Sequence, residues 1–255
     1  MRALSLAVLL VLCLPLSVFA FVPFLPAVQE ARRLQKEGKY LEAQKLYEET
    51  LADTSLAKQD KGWIRRRVEA LNMEILFSKF ETPESQLHTV VAGDSLYAIA
   101  KKYHTTIDLI KKSNGLHKDV IIPGMKLKVI TGEFSILVDK SSNILYLKLN
   151  DKVLTRYRVA TGTENGTPTG DFKIASRIEN PTWYKAGAVI APGAPDNSLG
   201  TRWLGFDYPG YGIHGTIEPE SIGKQVTSGC VRMINKQVEE LYIIVPEGTK
   251  VTIKD

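Results

Sequence analysis

The chain has 255 residues, 44% hydrophobic and 24% charged, enough for one sizeable core with smaller modules beside it. Its formal charge of +5 suits an anionic polymer or a membrane surface. No Lys/Arg run reaches the density of a nucleic-acid-binding arm, so no nucleic-acid partner is expected.

Residues 1–20, "MRALSLAVLLVLCLPLSVFA", carry one positive charge at Arg2, then an unbroken apolar run with a small-x-small end at Val18 and Ala20. That pattern is a secretory signal cleaved after Ala20. The alternative is a retained N-terminal anchor, because the run continues through Phe21 and Val22 to about the 20 residues of a membrane span. Leu12 ahead of Cys13 is too large for a lipoprotein processing site. Export across the inner membrane follows either way, to periplasm or cell wall, and no further integral membrane domain is expected. Cleavage leaves Cys230 as the sole thiol, which rules out a disulfide framework.

Residues 27–80 read as helical: Ala31, Leu34, Ala43, Leu46, Tyr47 and Leu51 recur at three- and four-residue spacing, with a turn at Gly38. "EGKYLEAQKLYEETL" resembles one tetratricopeptide hairpin, and an amphipathic helix follows over residues 56–80. One hairpin falls short of the stack such repeats need, so a helical spacer packed on itself is expected. "ETPESQ" (81–86) reads as a polar linker.

Residues 87–130 read as β-α-α-β: a strand near Thr89–Val90, a helix capped by Asp94 or Ser95, and a second started by Thr105 or Thr106 and stopped at Asn114-Gly115. A closing strand, 126–129, follows the Pro123-Gly124 turn. "GDSLYAIAKKY", "SNGL" and "IIPGMKLKV" make the whole block resemble the LysM domain. The resemblance implies binding to glycan strands of peptidoglycan, through Gly93, Asp94, Ser95 and Leu96 on one loop and Ile121 and Ile122 on the other.

From Phe134 onward short alternating runs take over: "SILVD", "ILYLKL", "VLTRYRVA", "DFKIASR" and "KVTIK". They predict a mainly-β domain over 134–254, of sandwich or barrel-like architecture, with one short helix over 236–243 capped by Asn235. The fold class is thus multidomain: an N-terminal α-helical hairpin region, a βααβ module and a mainly-β domain.

A free thiol has a pKa of about 8.5, and a nucleophilic one needs a base within hydrogen-bond reach to take its proton and leave an ion pair. His88, His104 and His117 fall in the βααβ block, where they are expected to be solvated. His214, in "YGIHGT", shares the β domain with Cys230 and is the preferred base. Gly229 allows close backbone approach, and the amides of Ser228, Gly229 and Cys230 are candidates for an oxyanion hole. Arg232 offers a fork for a carboxylate or for a salt bridge that holds the loop. Glu218 and Glu220 read as solvated. "NGTPTGDF" (165–172) reads as a plain hairpin connection, with a turn bordering a groove as the alternative; Trp183, Tyr184, Trp203 and Phe206 read either as cleft wall or as core. No Cys/His cluster has metal spacing, and no cofactor is expected.

"YGIHGTIEPESIGKQVTSGCVRM" is similar to the signature of the L,D-transpeptidase (YkuD-type) family, and the likeness extends over 134–254 through "GTPTGDFKI" and "APDNSLGTRWLGF". One position departs: the residue before Gly229, commonly His in that family, is Ser228. The resemblance implies a cysteine acyltransferase acting on peptidoglycan stem peptides. Cys230 attacks the carbonyl of the third stem residue and releases the terminal D-alanine. The thioester then passes to an amine, giving a cross-link or protein attachment, or to water. His214 acts as base and then acid, with the Gly215 carbonyl orienting its ring, and Thr216 joins Ser228, Gly229 and Arg232 at the substrate. An L,D-carboxypeptidase or wall peptidase, and a non-catalytic peptidoglycan-binding scaffold, are the alternatives.

Overall fold

The computed structural model describes residues 25–185 and 187–255; the expected signal, 1–20 with Cys13, lies outside the described residues. Among the described residues no helix is long and apolar enough to cross a membrane. The chain divides into two compact units, one ending at Arg66 and the other running Arg67–Asp255.

In the first unit, α1 (Pro26–Lys36) buries Val28, Ala31 and Leu34, and α2 (Tyr40–Ala52) buries Ala43 and Tyr47, so the two form a helical hairpin. α3 (Lys58–Leu76) crosses from the first unit into the second. Within the second, Asn72 Nδ2 donates to the Leu154 carbonyl at 2.9 Å, and Arg156 Nε meets Glu69 Oε1 at 2.7 Å. The helix is shared. Trp63, in the N-terminal part, lies under Arg32 of α1 at 5.2 Å, and the C-terminal part is bonded into the larger unit. The break between units falls inside the helix, not in 81–86. Ser85, expected in the linker, already opens strand β1 (Ser85–Thr89).

The βααβ module follows from local rules. α4 (Leu96–Lys102) is capped by the Ser95 side chain, which accepts from Ala98 N. α5 (Ile107–Asn114) is capped by Thr106, which accepts from Leu109 N, and ends at Gly115 in the left-handed conformation. β2 (Lys126–Ile130) pairs antiparallel with β1, Ser85 opposite Ile130. Val90, Leu96, Ile99, Ala100, Ile110, Leu127 and Val129 form the module's own core.

A mainly-β domain fills the rest. Its strands are β3 (Phe134–Asp139), β4 (Ile144–Leu149), β5 (Lys152–Arg158), β6 (Thr161–Gly162), β7 (Gly170–Glu179), β8 (Trp183–Lys185), β9 (Ala188–Ile190) and β10 (Arg202–Phe206). Then come β11 (Gly212–His214), β12 (Gln225–Thr227), β13 (Val231–Arg232), α6 (Asn235–Ile244) and β14 (Lys250–Lys254). Eight strands form one sheet in the order β13-β11-β10-β7-β14-β3-β4-β5. Ala160, two residues beyond β5, bridges to Arg232 of β13, so the sheet curls until its two ends meet. This is the barrel-like alternative, not a two-sheet sandwich. Alternation along β3 and β4 sends Phe134, Ile136, Val138, Leu145, Leu147 and Leu149 inward, where α6 adds Val238, Leu241 and Ile244.

The βααβ module is packed against this domain. Leu109 and Ile130 belong to the larger core, together with Leu76 of α3. Thr106 Oγ1 donates to the Ile243 carbonyl and Ser113 Oγ to that of Leu76 at 2.8 Å. Lys128, only 1% exposed, donates from Nζ to the carbonyls of Ile75 at 2.7 Å and Ser78 at 3.0 Å. Burial pulls its pKa down to about 8, against the attraction of Glu81. A cation at a helix C-terminus also meets the negative end of the helix dipole. Removing that ammonium takes a donor from both carbonyls, leaving Ile75 only its bonds from Ser78, and opens a cavity. Lys128→Ala should therefore lower stability to urea by about 2–4 kcal/mol, whereas exposed Lys126→Ala should stay within about 0.5 kcal/mol.

Candidate active site

His214 and Cys230 reach one place through two very short strands. β11 pairs in parallel with β13, Ile213 opposite Val231 and His214 opposite Arg232. Cys230 directly precedes β13 and so comes alongside Gly212, which shares a strand face with His214 two residues on. The half-buried Cys230 donates from Sγ to the Gly210 carbonyl at 3.5 Å. On the antiparallel side of β11, Trp203 of β10 stands opposite His214, and the two rings stack at 6.0 Å between centroids.

The imidazole is oriented by its own backbone. Nδ1 lies 2.7 Å from the Gly215 carbonyl oxygen, so Nδ1 carries the proton and Nε2 keeps its lone pair. His214 is 5% exposed, and burial pulls its pKa down to about 4; the Gly215 carbonyl opposes this and Arg232 reinforces it. Burial pushes the Cys230 thiol up, partly offset by the Gly212 backbone and by Arg232. Both shifts favour uncharged forms. The environment therefore biases the two groups toward neutral thiol and neutral imidazole, against the ion pair that the sequence suggested.

The loop carrying the sulfur is tightly specified. Gly229 has φ of 129°, and a Cβ there would come within 2.7 Å of Tyr211 Cε1 and 2.9 Å of the Gly166 carbonyl oxygen. Thr227 Oγ1 donates to the Cys230 carbonyl at 2.7 Å and accepts from Gly229 N at 3.2 Å. Ser228 is exposed beside it. Segment 163–169 thus borders the loop through Gly166, and buried Lys140 braces it, donating to Asn165 Oδ1 at 2.5 Å and the Thr167 carbonyl at 2.9 Å. The turn therefore borders the Cys230 loop, and the Lys140 contact is what sequence spacing did not indicate.

Arg232 pairs with Glu218 at 2.5 Å and donates to Ser221 Oγ at 3.1 Å, so its guanidinium ties down the loop after His214, and Glu218 is engaged as well as solvated. Thr216, 4% exposed, also serves that loop: its Oγ1 accepts from Glu218 N at 2.8 Å and its own amide donates to Asn235. Asn235 is not the helix cap: Ile234 takes that position, and no side-chain cap bond forms. Phe206 is buried and stacked on Phe172, hence core, whereas Tyr184 is exposed. Among the described residues no cluster of His, Cys, Asp or Glu is arranged to hold a metal ion.

In the βααβ module, Gly93, Ser95 and Ile122 are exposed. Leu96 is not available as a surface contact: it is buried in the module's core, and Ile121 is half-buried against that core. Asp94 staples the first loop, accepting from Val91 N at 2.9 Å and meeting His88 Nε2 at 2.9 Å, contacts that hold its carboxyl below the usual range. His88, expected in solvent, is buried between Asp94 and Tyr103. Exposed Tyr97, in the first turn of α4, and exposed Val120, on the second loop, went unremarked in the sequence.

The neutral imidazole makes a pH-dependent contribution to stability. Between its ordinary 6.5 and the folded value of about 4, the unfolded chain binds a proton that the folded chain refuses. Stability therefore falls as pH drops through that window, by about 3 kcal/mol for this group. Urea unfolding from pH 7 to 4 should show that loss, and His214→Gln should be flatter by about the same amount.

A family model described as the L,D-transpeptidase catalytic domain matches residues 133–253, and one described as the LysM domain matches 88–129. YqjB of Bacillus subtilis, named among the L,D-transpeptidases, is 45% identical over 132 residues, covering 49% of this chain and 74% of that protein. YkuD of the same organism, similarly named, is 38% identical over 174 residues, covering 65% of this chain and 97% of its own. YcfS of Escherichia coli is 28% identical over 198 residues, covering 67% and 62%. With its curled sheet, the Cys230–His214 loops and these relatives taken together, the chain belongs to the L,D-transpeptidase family and carries a LysM domain ahead of the catalytic domain.

Proposed function

We propose that the protein is an exported cysteine acyltransferase of the cell wall, working on peptidoglycan stem peptides while its LysM domain holds the glycan. The observation that carries this reading is the seating of Cys230 Sγ on the Gly210 carbonyl, next to the strand that presents an imidazole with its Nδ1 occupied. The thiol proton goes to His214 Nε2 as sulfur bonds to the carbonyl carbon of the third stem residue. Because both groups are biased toward their uncharged forms, proton transfer accompanies attack and does not precede it. The tetrahedral oxyanion falls to the amides of Ser228 and Cys230, since that of Gly229 already donates to Thr227. The imidazolium then returns its proton to the departing D-alanine nitrogen, leaving a thioester. An amine of a second stem, or of a protein, attacks that thioester and regenerates the thiol; water gives the carboxypeptidase outcome.

Arg232 serves this chemistry by pinning the loop after His214 through Glu218 and Ser221, and it stands close enough to influence both reacting groups. A low-pKa base extends activity toward acid: kcat/KM should hold its neutral-pH value down to about pH 5 and fall below about pH 4.

The test is incubation of the full chain with tetrapeptide muropeptides, read by mass spectrometry. An acyl adduct on Cys230, free D-alanine and dimeric product are expected. Cys230→Ala should abolish all three and retain binding to sacculi. Retention with no adduct in the unsubstituted chain would leave only the scaffold reading, and cleavage of a different stem bond would favour a peptidase.

A further inference from the structure

Asn235 is the first residue of α6, yet its side chain turns away from the helix. Its Oδ1 accepts from Thr216 N at 2.8 Å and lies 3.4 Å from Thr201 N. Both neighbours are N–H donors, so oxygen is the atom that fits there. The seat is specific: a Cβ at Gly215 or at Gly200 would collide with Oδ1, so glycine at both positions keeps it open.

The Thr216 amide and the Gly215 carbonyl are two edges of one peptide group, and a peptide group is a rigid plane. One edge is held by Asn235, and the other accepts from His214 Nδ1 at 2.7 Å. A rotation that lost the Asn235 bond would swing the carbonyl away from the imidazole. Thr216 is buried, so its amide has little access to water as a substitute partner.

We propose that Asn235 is a positioning residue for the reaction, setting the tautomer and ring direction of His214 through the Gly215–Thr216 peptide. The claim rests on the reading of His214 as the base. Asn235 touches neither substrate nor sulfur in this role. It works as the acidic or amide member of a nucleophile–base–orienter triad does, but through one intervening backbone plane.

The full chain, labelled with ¹⁵N, tests this by recording the His214 ring tautomer and the pH profile of kcat/KM. Asn235→Leu keeps the branched four-atom shape, though bulkier, without an acceptor, and Asn235→Asp keeps an acceptor. Unsubstituted protein should show the Nδ1–H tautomer. Asn235→Leu should mix tautomers, lower kcat by about tenfold with KM within about two-fold, and shift the acid limb. Asn235→Asp should recover most of kcat. A wild-type tautomer and profile in Asn235→Leu would overturn the proposal. Should that variant not fold, scalar coupling across the hydrogen bond from Thr216 N to Asn235 Cγ in the unsubstituted chain decides: its presence supports the proposal and its absence overturns it. Because the tautomer is read without turnover, a chain that never acylates Cys230 would sink the acyltransferase reading separately.

Discussion

The parallel register between β11 and β13 is the constraint on which the site rests. Two strands of three and two residues have no stability of their own, and a slip of one residue would send the imidazole to the opposite face of the sheet. They are clamped from both sides. Ala160 and Arg232 exchange backbone hydrogen bonds at 2.8 and 2.9 Å, and Met233 N donates to the His214 carbonyl at 2.8 Å. The bridge that closes the curl of the sheet therefore also fixes the strand that follows Cys230 against the strand that carries His214. Buried Ile213, Val231 and Met233 anchor the alignment in the core.

Burial sets the electrostatic character of what this register brings together. Desolvation is the largest influence on both His214 and Cys230, and it exceeds the single carbonyl or amide bond that each receives. Arg232, held through Nη1 by Glu218 and Ser221, adds a positive field that disfavours imidazolium and favours thiolate. Both groups are consequently biased toward their uncharged forms, and a half-buried thiol is less open to oxidation than a thiolate.

What was legible in the sequence was what local rules govern. Ser95, Thr106 and Gly115 end their helices through bonds spanning three or four residues, and alternation along β3 and β4 is a property of each strand alone. The pair His214 and Cys230 stood out because few side chains in one domain can do nucleophilic chemistry. What escaped was long-range. Asn235 looked like a cap because Asn before a helix usually is one, and only the fold puts Thr216 against it. Lys140 against 163–169, Lys128 under the end of α3, and Glu218 on Arg232 each join segments whose spacing carries no period. α3 shows the same limit: Trp63 meets Arg32 of its own hairpin, but Asn72 and Glu69 meet β5, which the amphipathic pattern alone does not indicate.

The packing of the LysM domain changes how its presence should be understood. Leu109 and Ile130 lie in the catalytic core, and three residues, 131–133, separate β2 from β3. A flexible leash would merely crowd stems around the enzyme. Here the two modules behave more like the jaws of a caliper, whose opening is a dimension of the protein itself. On the proposed function, a sugar held at one jaw would define which neighbouring stem arrives at the other, so choice along the strand would become a matter of distance.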